Sequence, residues 1–310
     1  MKKFMATFTI LSTLSATILL SGCMLNSRHM QEEVSKRVAF PAFMHPRTID
    51  AEPFNLKAYE RVHEEGKTIN IYIEGDGFAW VSRKRKSLNP TPKNPISLRL
   101  AAMDGSTNVI YLARPCQYTG WQNEGRCPQK YWTSHKYSPT VVNSFHKALD
   151  DIKRRYQAPN FNLIGYSGGG TIATLVAADR DDVLSIRTVA GNLDIDYHTN
   201  FHKVTKLTGS LNPKDIAAKI AHIPQRHFVG SMDQNVTPEI YYSYAQAMGV
   251  DKCLNYNFVD GADHTEGWAE HWTMLVKQPV ECEEYVPAPV TMELTPEIEE
   301  KIEEFNNVIK

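Results

Sequence analysis

Short apolar, β-branched runs alternate with longer amphipathic stretches along most of the chain. Thr68 to Ile73 alternates with period two, Asn108 to Leu112 reads as a second strand, and Asn160 to Tyr166 as a third. Residues 183–190, 226–230 and 254–259 supply three more. Between them, residues 139–156 place Val142, Phe145, Leu149, Ile152 and Tyr156 at steps of three and four, which is one face of a helix. Further helices are expected at 171–178, 213–221, 238–248 and 266–276. Strands alternating with helices in this way predict an α/β fold, a mostly parallel doubly wound sheet spanning about 65–280. Two segments break the alternation. Residues 192–212 read as a small cap insertion. Residues 281–310 form an acidic tail with a helix from Thr295, whose face of Ile298, Ile302, Phe305 and Ile309 packs on the domain or meets a partner.

The N-terminus follows a different pattern. Lys2 and Lys3 precede a run from Phe4 to Leu20 that is apolar apart from small hydroxyl residues, and Leu20-Ser21-Gly22-Cys23 closes it. The run is short for a membrane helix, although a single span or a plain secretory signal would share its first half. The closing residues resemble a bacterial lipobox. That resemblance implies a signal peptide over 1–22, diacylation of Cys23 and attachment to a membrane. Met24 in place of Asp after the cysteine implies, by likeness to enteric lipoproteins, the outer membrane facing the periplasm. Residues 23–64, with Pro41, Pro46 and Pro53, are then a lipidated tether and an N-terminal extension packing on the domain.

Composition changes the picture in two places. A net charge of -1 over 310 residues gives no reason to expect nucleic acid as a partner. Of five cysteines, Cys23 as anchor leaves four in an oxidising compartment. Three pairings are open to them, of which the local one, Cys116 with Cys127 and Cys253 with Cys282, closes the shorter loops.

The chemistry centres on Phe161 to Gly170, where a strand runs into Gly165-Tyr166-Ser167-Gly168-Gly169 and a helix begins at once. Small residues around a sharp strand-to-helix turn let a serine hydroxyl protrude above the sheet, and the amide of Gly168 is positioned to donate to an oxyanion. A serine needs a base and an orienting acid. Asp233 follows the run His227 to Gly230, and His264 follows Phe258 and Val259, so both fall at C-terminal strand edges in the order Ser, Asp, His. Over roughly Lys67 to Gln278 these residues resemble the α/β-hydrolase superfamily, in its bacterial esterase, lipase and serine-peptidase branch. The resemblance implies that Ser167 attacks a carbonyl, His264 takes its proton and Asp233 orients the imidazole, with no metal or organic cofactor.

The second oxyanion donor is expected in Glu74-Gly75-Asp76-Gly77, at the amide of Asp76 or Gly77. Here the chain departs from the family's common His-Gly start, and an Asp76 carboxylate facing an oxyanion would oppose catalysis unless turned away or paired, for instance with Arg83, Lys84, Arg85 or Lys86. Asp194, Asp196 and Asp263 are rival acids. His198 and His202, four apart, would share a helix face as metal ligands do, but no third ligand completes a zinc pattern. Tyr118, Trp121, Tyr131 and Trp132 line an acyl pocket or stabilise the disulfide loop. The expected substrate is a small-molecule or lipid-like carboxylic ester, with amide or thioester open to the same triad. The rival class is a non-catalytic lipoprotein that keeps the fold for binding.

Overall fold

The computed structural model describes residues 29–119, 126–249 and 252–282; Cys23, Trp121 and the helix expected from Thr295 lie outside them. One eight-stranded sheet carries the molecule. Its strands are β1 (His45–Ala51), β2 (Phe54–Val62), β3 (Ile69–Ile73), β6 (Asn108–Leu112), β7 (Phe161–Tyr166), β8 (Val183–Val189), β9 (Gln225–Gly230) and β10 (Leu254–Val259), in the order β1-β2-β6-β3-β7-β8-β9-β10. A separate hairpin pairs β4 (Trp80–Ser82) with β5 (Arg85–Lys86). From β6 to β10 every pairing in the sheet is parallel, while β1 and β2 are antiparallel additions at one edge. The extension expected over 23–64 therefore supplies two strands to the sheet itself. Its prolines obscured them: Pro46 sits in β1, on the sheet edge, where a missing N–H is tolerated.

Alternation along the strands builds two cores. Ile69, Ile71 and Ile73 of β3, with Ile110 and Leu112 of β6, face one side, where α3 (Pro139–Tyr156), α4 (Gly168–Ala177) and α6 (Pro238–Met248) pack. Tyr72, Val109 and Tyr111 face the other, beneath helix α1 (residues 29–39), α2 (Ile96–Met103) and α7 (Trp268–Leu275). On this second face Trp272 is fully buried, and its Nε1 donates to Tyr72 Oη, which donates to Asp104. A side chain of that size stabilises a fold by about 3 kcal/mol or more. The expected helix at 213–221 is a 3-10 run, Pro213–Ile220, and the insertion at 192–212 holds one short helix, α5 (Ile195–Phe201). The cysteines pair locally, Cys116 with Cys127 and Cys253 with Cys282.

The strand order also fixes where chemistry can gather. The chain runs outward from β3 to β6, then crosses to the other side of β3 to form β7. The order of connection thus reverses between β3 and β7, which stay parallel, and the loops leaving the C-terminal ends of these two strands diverge, opening a crevice. Ile73 pairs with Gly165 in register, so the segment starting at Glu74 and the one starting at Tyr166 leave the sheet side by side.

Candidate active site

The turn after β7 is forced by its glycines. A Cβ on Gly165 would collide with the carbonyl of Gly169, so the helix can start this close to the strand only if that position lacks a side chain. Ser167 takes φ 51° and ψ -119°, a conformation costly for a residue with a side chain and tolerated where the surroundings dictate it. Its N–H donates to Val189 O, and its carbonyl accepts from Gly170 and Asn192. The hydroxyl emerges above the C-terminal edge of the sheet at the first turn of α4, where the leading amides have no intrahelical acceptor.

Asp233 and His264 come from the ends of β9 and β10. Asp233 Oδ1 accepts from the amides of Asn235 and Val236, each at 2.8 Å, which closes its loop and fixes its carboxylate. Its other oxygen lies 2.8 Å from His264 Nδ1, and His264 Nε2 lies 3.1 Å from Ser167 Oγ. A carboxylate only accepts, so Nδ1 carries the ring proton and Nε2 turns its lone pair to the serine hydroxyl. The histidine loop is held from three sides. Tyr166 Oη donates to His264 O at 2.7 Å, Trp268 Nε1 donates to Asp263 O, and Asp263 Oδ1 accepts from the amides of Thr265 and Glu266. The structure thus brings Ser167, His264 and Asp233 together. Asp263 shapes the loop. Asp194 caps α5 through the Tyr197 amide and binds Ser243 and Lys214, while Asp196 is exposed on that helix.

The segment Glu74 to Gly77 lies against this elbow, and its two acids have opposite surroundings. Glu74 is sealed under the sheet end with Gly75 N–H, Ser97 N–H and Tyr111 Oη as donors, and burial pushes its carboxyl up to about 7. Asp76 is also pushed upward by burial, but Lys136 and Arg114, with donors from Lys136 and Tyr137, outweigh this and hold it at about 2. The pairing expected from residues 83–86 is therefore corrected. Those side chains are exposed on the β4–β5 hairpin, and the partners of Asp76 come from the end of β6 and the start of α3.

Arg114, which no sequence motif marked, is the tie between the two halves. Its Nη1 lies 3.3 Å from Asp76 Oδ1 and 3.2 Å from Gly168 O, and its Nη2 donates to Lys136 O. The carboxylate of Asp76 and the hydroxyl of Tyr137 fill the space a Cβ on Gly168 would take, so that glycine is required by contact. Gly77, at φ 64°, is hemmed in by Pro90 O and Gln117, whose amide also donates to Gly75 O. The cluster of Arg114, Lys136 and Asp76 leaves one positive charge in excess beside the elbow. Tyr118 is half-buried against the second core, and Tyr131 packs edge-on to Phe54 at 4.8 Å while Trp132 donates to Ser87 O, so the last two serve the first core. The rings of His198 and His202 lie with centroids 4.6 Å apart and planes tilted by 57°, His202 Nε2 bonds to Asn235 O, and burial lowers His198 to about 4. Among the described residues no third His, Cys, Asp or Glu joins them.

Comparison with known proteins agrees with this fold. Residues 134–236, which contain the elbow and Asp233, match the model of a family described as "Alpha/beta hydrolase of unknown function (DUF915)". The chain is a member of the α/β-hydrolase superfamily. No curated protein matches it. Among solved structures, this α/β hydrolase is similar to Est1E from Butyrivibrio proteoclasticus at 15% identity and TM-score 0.52, over 75% of this chain and 96% of that one. The Pyrococcus furiosus esterase Pf2001 aligns at 14% identity and TM-score 0.55, over 76% and 91%. A Mycobacterium tuberculosis puromycin-hydrolyzing peptidase aligns at 14% identity and TM-score 0.53, over 76% of this chain but 38% of that one. These likenesses establish a shared fold.

Proposed function

We propose that this α/β hydrolase is a serine hydrolase that cleaves carboxylic esters through an acyl-serine intermediate. The observation that carries the proposal is the continuous relay from Asp233 through His264 to Ser167, with both contacts within hydrogen-bond reach. In the forward step Ser167 Oγ bonds to the ester carbonyl carbon as its proton passes to His264 Nε2. The carbonyl oxygen gains the negative charge, facing the Gly168 amide and the amide of Asp76 or Gly77. Collapse breaks the bond to the alcohol, which leaves with the proton from His264. Water then repeats the sequence, its proton going to His264 and returning to Ser167 as the acid is released.

The excess positive charge of Arg114 and Lys136 removes the objection that an acid in the oxyanion segment would oppose this step. An ester is proposed over an amide because an alkoxide departs with less help from the acid than an amine does. The triad itself does not set the leaving group: among proteins of this fold, one is called an esterase and another a peptidase. We further propose that Cys23 is acylated and holds the enzyme at the outer membrane facing the periplasm, since the lipobox likeness and two disulfides both suit an exported protein.

A fluorophosphonate probe tests the central reading. Labelling of Ser167 that is lost in Ser167→Ala and His264→Ala supports it. An unlabelled, folded wild-type protein would show that the fold is retained for binding only.

A further inference from the structure

Two segments beside the triad share an uncommon composition. Residues 80–88 and 200–211 carry Arg83, Lys84, Arg85, Lys86, Lys203 and Lys206 and not one Asp or Glu, in a chain whose net charge is -1. All six cations are exposed. Large apolar side chains stand exposed among them, including Trp80 at 43%, Leu88 at 59%, Phe201 at 50% and Val204 at 46%. Far apart in sequence, the segments meet in the fold: Arg83 Nη2 donates to His202 O at 3.3 Å. His202 in turn reaches Asn235 O, and the Asn235 amide binds Asp233. The basic, apolar surface therefore borders the triad.

The start of the described chain lies on the same side. Gln31 of α1 donates to Thr91 O at 3.0 Å and accepts from Asn89 Nδ2 at 2.5 Å, in the loop directly after the β4–β5 hairpin. Cys23 is eight residues before Gln31, so an acyl anchor there holds this loop within about 28 Å of the bilayer even with the tether fully extended. Tryptophan interleaved with Lys and Arg suits the headgroup level of a membrane, where the ring has one apolar and one wet side and the cations meet lipid phosphates. A recognition site for a dissolved anion would instead enclose its cations.

We propose that this rim, formed by the β4–β5 hairpin and the segment after α5, docks on an anionic lipid surface and presents the site to esters carried in that membrane. The docking rests on the proposed anchor, and the lipid-borne substrate rests on the proposed hydrolase activity. The surface acts by orientation: the anchor keeps the enzyme at the membrane, and the rim turns the mouth of the site toward it.

The test uses the full acylated chain on vesicles with brominated acyl chains, either rich in phosphatidylglycerol or made of phosphatidylcholine alone. Trp80 emission is read as wild type minus Trp80→Phe. On phosphatidylglycerol it should fall by about twofold or more, and on phosphatidylcholine it should change little. The double variant Lys84→Glu/Lys206→Glu should lose the quenching while remaining on the vesicles. It should also turn over a vesicle-borne ester roughly tenfold more slowly, keep its rate on a water-soluble ester, and differ little from wild type at about 1 M salt, where screening is short-ranged. Trp80 left unquenched on phosphatidylglycerol, or quenched equally in the variant, overturns the docking; an acidic protein would then be the fitting partner for the rim. Turnover of the soluble ester without quenching refutes the docking alone. Quenching without turnover of either ester upholds the docking and refutes the hydrolase activity.

Discussion

The two sides of the site are built on different principles. On the histidine side, Asp233 and His264 each sit past their own strand and are fixed mainly by neighbours in their own loops: Asp233 by the amides two and three residues on, His264 by the turn around Asp263, with Tyr166 Oη on the His264 carbonyl as a contact from outside the loop. On the proposed oxyanion side, the segment from Glu74 to Gly77 is held from elsewhere in the chain: Arg114, Lys136 and Tyr137 bind the Asp76 carboxylate, the Gln117 amide donates to Gly75 O, and the Ser97 N–H and Tyr111 hydroxyl donate to Glu74. A side built from local turns fails one residue at a time. A side built from a charged network fails as a unit, because removing one partner leaves the others buried and unpaired.

The largest effect expected is on the local side. Ser167→Ala or His264→Ala should lower kcat by roughly 10⁴-fold or more, with the thermal midpoint unchanged. Single-turnover assays on folded protein check this, and wild-type hydrolysis by Ser167→Ala would end the proposed mechanism. Asp233→Asn should cost somewhat less, roughly 10³-fold, since an imidazole in the wrong tautomer still adjoins the serine. Asp194→Asn should leave turnover near wild type and lower only stability; the reverse result would move the acid to the earlier strand.

The network side should respond as a group. Arg114→Met is expected to lower kcat roughly 10²-fold with little change in KM, because both oxyanion donors lose their common tie. Affinity for a boronic acid that mimics the tetrahedral state should fall in proportion to kcat. Loss of KM alone would assign Arg114 to substrate binding instead.

The two acids of that side predict opposite pH responses in stability. For Glu74 the folded carboxyl at about 7 lies above its ordinary 4.5, so its stabilising contribution is full below that value and is lost as pH rises from about 4.5 to 7. The change is roughly 3 kcal/mol. Glu74→Gln should flatten this fall in urea titrations. For Asp76, held at about 2 against an ordinary 3.8, stability is present above 3.8 and is lost as pH falls toward 2. The smallest effect on catalysis is expected from Cys253→Ser with Cys282→Ser. Opening that loop, whose cysteines are 29 apart in sequence, should cost about 2–4 kcal/mol of stability and leave turnover unchanged.

What the sequence could show follows the same division. The parallel sheet, the turn at Ser167 and the positions of Asp233 and His264 depend on short-range periodicity and on glycines within a few residues, and these are written locally in the chain. The strands β1 and β2 escaped notice because β2 joins the sheet through β6, across about 50 intervening residues, β1 joins it only through β2, and the prolines at 46 and 53 read as loop. The partners of Asp76 escaped for a related reason. The nearest cations in sequence, Arg83 to Lys86, extend into solvent on a hairpin, whereas Arg114 and Lys136 are brought in by the reversal of strand order around β3. The sequence by itself determined the strand-and-helix alternation and pointed to Ser167, Asp233 and His264, which the fold brings within hydrogen-bond reach of one another. Only the tertiary structure decided which charges surround the oxyanion segment, because charge pairing depends on distance in space, and crossovers between parallel strands bring together residues that the chain keeps apart.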